Sequence, residues 1–195
     1  MLNAGEICGL HDGALDQWYA EKPESVDERH DLKAVVRTEH FMNFTLWQLE
    51  DEARRTDVDD GYIAGVKRSI DIWNQRRNDL IESIDELVLA ELSAADTSAA
   101  ELHSETAGMM IDRLSILALK LRNMQRLAAS KDAGVAAESA AKRHVLELQR
   151  ADLAACLDRL CEDFAAGRRF FKAYRQFKTY NDPRLNPALA RDGSG

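Results

Sequence analysis

A chain of 195 residues is long enough for one domain with a core of its own, since a domain of this size buries roughly 70% of the surface its unfolded form exposes. Its 45% hydrophobic and 31% charged residues exclude a disordered chain, and a formal net charge of -8 argues against nonspecific nucleic-acid binding, which depends on a basic surface. A membrane-spanning helix needs about 20 apolar residues, whereas the longest stretch free of Asp, Glu, Lys and Arg runs only from His40 to Leu49.

The first residues carry Glu6, Asp12 and Asp16 without a basic start or an apolar run, so they do not read as a secretory leader, and a soluble cytoplasmic protein is expected. Cys8, Cys156 and Cys161 are odd in number, and the last two point in different directions on a helix, so neither a disulfide framework nor a zinc site is expected. Charge is uneven along the chain: residues 168, 169, 172, 175, 178, 184 and 191 are Lys or Arg, against the single acid Asp182 in that interval.

Pro23, Pro183 and Pro187 are the only prolines, so long helices are permitted throughout residues 24–182. A short first helix is expected over about 5–21, with Ile7, Ala14, Leu15 and Trp18 on one side. The second runs over about 31–55 behind the stripe Val35, Met42, Leu46, Leu49 and Ala53. Acids between Asp57 and Gly61 can cap the third, whose apolar positions Ile63, Val66, Ile70, Trp73, Leu80, Ile84 and Val88 recur at threes and fours.

After a Ser, Ala and Thr-rich connection over about 93–104, Thr106 can cap a fourth helix with the heptad-like stripe Met110, Leu114, Leu117, Leu121, Met124 and Ala128. A fifth, over about 135–166, is expected to bury Val145, Leu148, Leu153, Cys156, Leu160 and Phe164, and Gly167 ends or bends it. A sixth, over 168–180, places Phe170, Tyr174 and Phe177 on one face. No strand run is evident. Long amphipathic segments with short connections predict an all-α, antiparallel bundle of about five to six helices in a single domain over 1–195, with 188–195 as a flexible tail.

Beside the apolar stripe of the second helix, about 100° round the cylinder, lies a polar one: His40, Asn43, Trp47, Glu50 and Arg54. The third helix repeats the arrangement with Lys67, Asp71, Asn74, Asn78 and Asp85, and the fourth offers Arg113 and Lys120, with Asp112 adjacent. Such edges are either solvated faces laced by pairs such as Lys67 with Asp71, or walls of a shared cleft. Residue type supports the second option, because Asn is a mediocre helix former and Asn43, Asn74, Asn78 and Asn123 all fall inside helices.

No Glu-x-x-His pair suits a di-iron bundle, and Glu50, Asp51, Glu82 and Asp85 imitate a two-helix magnesium site at the wrong spacing, so no metal is assigned. No nucleophile elbow, P-loop or other cofactor cradle is present, and no cofactor is expected. His40 is the one histidine within the polar stripes, open to a structural or a catalytic role. The terminal segment mixes basic and aromatic residues before the polar turn Tyr180, Asn181 and Asp182, which fits docking on the bundle, an anion pocket, or a membrane surface.

The strings NFTLWQLEDEAR (43–54), KRSIDIWNQRRNDLIESID (67–85), ETAGMMIDRLSILALK (105–120) and FKTYNDPRLNP (177–187) resemble a bacterial family, domain of unknown function 4254, from about His40 to Pro187. The resemblance implies a helical protein in the setting of cell-surface glycan assembly, and it transfers no mechanism. It implies a shared site among Asn43, Glu50, Asp51, Arg54, Lys67, Asp71, Asn74, Arg77, Asn78, Glu105, Asp112, Arg113, Lys120, Lys178, Tyr180, Asn181 and Asp182.

Two functions follow as expectations. The first is an enzyme or binding module for an anionic sugar or phosphate compound in a polar cleft between the second, third and fourth helices. There Arg54, Lys67, Arg113, Lys120 and Lys178 would meet the anion, Asn74 and Asn78 would orient hydroxyls, and Glu50 or Asp71 would act as general base. The alternative is a noncatalytic homo-oligomer or adaptor with a protein partner, using the fourth or the final helix.

Overall fold

The structure, a computed structural model, describes residues 3–21, 31–92, 98–175 and 184–186. Among them are five helices: α1 (Ala4–Ala20), α2 (Leu32–Glu52), α3 (Asp60–Glu91), α4 (Ala107–Ala128) and α5 (Ala133–Ala165). The fold is the all-α helical bundle expected from the periodicity. No helix among the described residues is long and apolar enough to cross a membrane.

Local sequence sets the helix starts. Asn3 and Glu6 form a reciprocal capping box, and the side chains of Asp31, Asp59, Thr106 and Asp132 each accept from a backbone N–H in the first turn of the helix that follows. Each such cap contributes about 1 kcal/mol. Asp158 on α5 adds a tertiary cap, its Oδ1 accepting from the Ala4 amide at 2.8 Å and so fixing the start of α1 against the end of α5.

The main core draws on every helix: Ile7 of α1, Val36 of α2, Ile84 and Val88 of α3, Met110, Ile111 and Leu114 of α4, and Leu157 and Leu160 of α5 are all 2% exposed or less. Burying each of these side chains stabilises the fold by roughly 1.5–3 kcal/mol. A second cluster joins Leu15 and Trp18 of α1 to Phe44 and Leu119, and a third joins Leu46 of α2 to Val66 and Ile70 of α3. The helices α2 and α3 thus meet along most of their length, and α4 pairs with α5.

Three expectations are corrected. Residues 168–175 are not helical: Gly167 adopts φ 68°, ends α5, and turns the chain into β2 (Arg169–Phe170), which pairs in parallel with β1 (Glu101–Leu102). The Ala166 amide closes the last turn of α5, the Arg168 amide reaches back to Asp163 O, and Phe171 is buried against Phe164, so aromatic packing holds an extended strap where amphipathic spacing predicted a sixth helix. The expected Phe170, Tyr174 and Phe177 face does not form, as Tyr174 is 71% exposed and Phe177 lies outside the described residues. On α5, Leu153, Leu160 and Phe164 are buried as expected, but Val145 and Leu148 are each 53% exposed and Cys156 is exposed, because among the described residues no helix covers that side of α5. The tail 188–195 also lies outside the described residues.

The helices α3 and α4 approach closely at one point. Gly108 brings its backbone so near that an added Cβ would stand 2.5 Å from Ile81 O and 2.9 Å from Asp85 Oδ1. The Gly108 amide donates to that same Asp85 oxygen at 2.6 Å. Burial raises the acid of Asp85, and its bonds from Thr106 and Gly108 counter the rise. Asp85 is therefore committed to holding the start of α4. Gly108→Ala is expected to destabilise the protein by about 1–3 kcal/mol through forced separation of the two backbones; urea denaturation checks this, and an unchanged midpoint would contradict the close approach.

Candidate functional site

Glu39 and Asn43 lie one turn apart on the inner side of α2 and are both buried, Glu39 completely. Facing them on α4 are Asp112 and Ser115, also one turn apart by number. Asn43 Nδ2 stands 2.5 Å from Glu39 Oε1, 2.9 Å from Asp112 Oδ1 and 2.9 Å from Ser115 Oγ. Arg77 of α3 closes the group with Nε 3.7 Å from Asp112 Oδ1.

The charge balance is uneven. Burial, and then the Asp112 carboxylate, push the Glu39 acid well above the usual carboxylate range, with Arg77 opposing them only weakly. Glu39 thus tends to keep its proton while Asp112 shares the Arg77 charge. Glu39 Oε2 and Arg77 Nε are both buried without a hydrogen-bond partner, so this cluster carries unused hydrogen-bonding capacity at a helix seam.

The hydrogen-bond chain continues to His40. Its Nε2 stands 3.2 Å from the backbone oxygen of His11, an atom that can only accept, so Nε2 carries the proton. Nδ1 must then accept from Ser115 Oγ at 2.7 Å, leaving the serine oxygen to accept from Asn43. The His40 ring is fully buried, 4.5 Å from the His11 ring and 5.2 Å from Trp18 between centroids, and burial lowers its pKa to about 3. It is a neutral, fixed imidazole beneath the cleft, with no free nitrogen.

Above this floor a cleft of about 380 Å³ opens between α2, α3 and α4. Asn43, Leu46, Trp47, Glu50, Asp51 and Arg54 line it from α2, Asn74 and Arg77 from α3, and Ile116 and Leu119 from α4. Among the expected site residues, the structure therefore brings together Asn43, Glu50, Asp51, Arg54, Asn74 and Arg77. Lys67 stands at the rim, 3.7 Å from Glu50, so its acid partner is across the seam and not the expected Asp71. Asp71 is exposed and does not line the cleft, and Asn78 supports it indirectly by accepting from Arg77 at 3.5 Å.

Arg113 and Lys120 line a different, larger cleft of about 670 Å³ between α4 and α5, together with His103, Glu105 and Asp152. Arg113 is paired there with Glu105 at 2.5 Å. The two clefts adjoin, since Ile116 lines both. Lys178, Tyr180 and Asn181 lie outside the described residues. No group of three or more His, Cys, Asp or Glu side chains among the described residues could hold a metal ion.

Sequence reasoning overlooked Glu39 and Ser115. Glu39 precedes Asn43 by four and Ser115 follows Asp112 by three, spacings that place each pair on one helical face, so a signal was present. What concealed them was the neighbouring apolar stripe, which made both positions look like ordinary boundary residues.

Stability should depend on pH in two opposed ways. Glu39 has a folded pKa above its ordinary 4.5, so its contribution is complete below that pH and is lost as pH rises through the raised value. His11 and His40 have folded values below 6.5, so the unfolded chain takes up protons first and stability declines as pH falls below that point, for His40 down to about 3. Glu39→Gln, which imitates the neutral acid, is expected to shrink the decline with rising pH and leave the acid one, the remainder belonging to Asp85 and, above about pH 9, to Cys8 and Cys161. Denaturation midpoints across pH check this, and an undiminished decline with rising pH in the variant would contradict a proton held on Glu39.

No curated protein and no solved structure matches the chain. A family model described as protein of unknown function, DUF4254, matches residues 33–173, a span that runs from the second residue of α2 past the end of α5 and contains every described residue of the cleft and its floor except His11 of α1. The chain belongs to the DUF4254 family.

Proposed function

We propose that the cleft between α2, α3 and α4 binds a small anionic sugar or phosphate compound, either as an enzyme or as a binding module. The observation that carries this reading is the convergence of Asn43, Glu50, Arg54, Asn74 and Arg77 on one cleft beside Trp47. A seam between helices gains most from apolar packing, and polar side chains gathered there cost stability unless hydrogen bonds repay the lost hydration. A polar ligand supplies those bonds.

In this reading Arg54 and Arg77 meet the anion, where a guanidinium offers two parallel donors to phosphate or carboxylate. Asn43 and Asn74 orient hydroxyl groups, and Trp47 gives the ligand a flat apolar wall. Glu50, 38% exposed at its side chain and offset by Lys67 and Arg54, is the acid placed to take a proton from a bound hydroxyl. His40 acts from below by holding Ser115 and, through it, Asn43. Asp71 and Asn78 belong to the margin of the site, and Arg113 and Lys120 extend its positive charge into the adjoining cleft. The setting in cell-surface glycan metabolism rests on the family resemblance.

Thermal unfolding against a panel of sugar phosphates and nucleotide sugars tests the reading. At a ligand concentration about 100 times Kd, stability should rise by about 2.7 kcal/mol, which for a chain of this size moves Tm by roughly 5–10 °C. Arg54→Ala and Asn74→Ala are expected to leave the unliganded Tm nearly unchanged and to remove that shift. A panel without any stabilising member, or variants that respond as the natural chain does, would count against the site.

A further inference from the structure

Three concave surfaces meet around α4. The polar cleft shares Trp47 with an apolar groove of about 450 Å³ between α2, α4 and α5. The groove has Trp47, Met124, Val145 and Leu146 as apolar walls, and its charged lining residues are both lysines, Lys120 and Lys142. Lys120 also lines the larger α4 and α5 cleft, which in turn touches the polar cleft at Ile116. Polar head space, a cation and an apolar groove are thus neighbours, bordering one another at Trp47, Ile116 and Lys120.

The charges differ in their state of compensation. Lys142 has Glu138 at 2.6 Å, whereas Lys120 has no carboxylate within ion-pair distance among the described residues. No acid lines the groove itself. Val145, on its wall, is 53% exposed although nothing in the solvated helix requires a valine there. An uncompensated ammonium beside exposed apolar walls favours a ligand with a hydrocarbon part and an anionic part. A second copy of the chain would fit less well, since packing about a twofold axis presents the same lysines without an acid in the groove to meet them.

We infer that the ligand of this surface is an amphiphilic phosphate: its hydroxyl- and phosphate-bearing head lies in the polar cleft, where Arg54 and Arg77 meet the anion, Lys120 adds positive charge beside it at the groove, and its hydrocarbon chain lies in the groove of Trp47, Met124, Val145 and Leu146. The inference rests on the anion-site reading of the polar cleft and adds the chain. It commits to a single molecule held between helices, not to a lipid surface.

Titrations with glucose 1-phosphate, octyl glucoside, and hexyl, octyl and decyl phosphate, each kept monomeric, test it. Each methylene buried multiplies affinity by up to about fourfold, so decyl phosphate is expected to bind at least about tenfold tighter than hexyl phosphate. Val145→Glu, at an exposed position, should abolish that dependence on chain length and leave glucose 1-phosphate binding within about twofold. Lys120→Met should weaken the alkyl phosphates and spare octyl glucoside.

Affinity independent of chain length, or unaltered by Val145→Glu, would overturn the inference. If glucose 1-phosphate still bound in that case, and lost its binding with Asn74→Ala, the polar-cleft reading would stand alone. Loss of all glucose 1-phosphate binding with chain-dependent binding retained would instead remove that reading. Capture on anionic vesicles without monomer binding, or a dimer dissolved by Val145→Glu without chain-dependent binding, would likewise overturn it in favour of a lipid surface or a second copy.

Discussion

Asn43 sits where α2 meets α4, and its Nδ2 has two hydrogens for three acceptors, on Glu39, Asp112 and Ser115. One hydrogen must be shared, and this shortage governs what lies around it. Through Ser115 the amide reaches His40, whose tautomer the His11 carbonyl sets, and so the chain of bonds runs on to α1. Through Asp112 it reaches Arg77 of α3. Four helices are thereby registered by one carboxamide.

The energetic position of this group is unusual for a bundle of this size. An unpaired buried charge costs several kcal/mol, and apolar residues in place of a buried ion pair are often neutral or stabilising. The chain nonetheless keeps Glu39, Asp112 and Arg77 together, with Glu39 Oε2 and Arg77 Nε left without hydrogen bonds. Raising the Glu39 acid lowers the cost, because a neutral carboxyl beside a carboxylate avoids placing two like charges at one point. The apolar clusters on either side, Leu15 with Phe44 and Leu46 with Ile70, supply the stability that permits this polar floor. The cleft above it inherits fixed donors, since the side chains that line it from below cannot easily rotate.

Much of this was readable from residues. Asp59 and Thr106 announce their helices because a side-chain oxygen three residues before an amide has few other uses, and glycine at 167 marks a chain reversal that only a positive φ allows. The polar stripe of α2 also faced a cleft with the edge of α3, as Asn43, Glu50, Arg54 and Asn74 show. Other features depend on neighbours that spacing does not encode. His40 and Trp47 share a stripe, yet α1 covers the first and leaves the second at a groove. Val145 and Leu148 repeat at core spacing, but among the described residues no helix lies beside that face to bury them. The strap after Gly167 carries basic and aromatic residues at helical intervals, but pairing with Glu101 and Leu102 and the burial of Phe171 outweigh that pattern.

The neutral acid under the cleft is the feature on which the floor, its charge and its rigidity all depend. Site-resolved carbon-13 NMR of the Glu39 carboxyl, followed from about pH 3 to about pH 9, observes it directly. A Glu39 midpoint well above the ordinary 4.5 is the predicted result. A Glu39 midpoint at or below that value would contradict it, and would mean that the seam between α2 and α4 holds two carboxylates with only Arg77 to balance them.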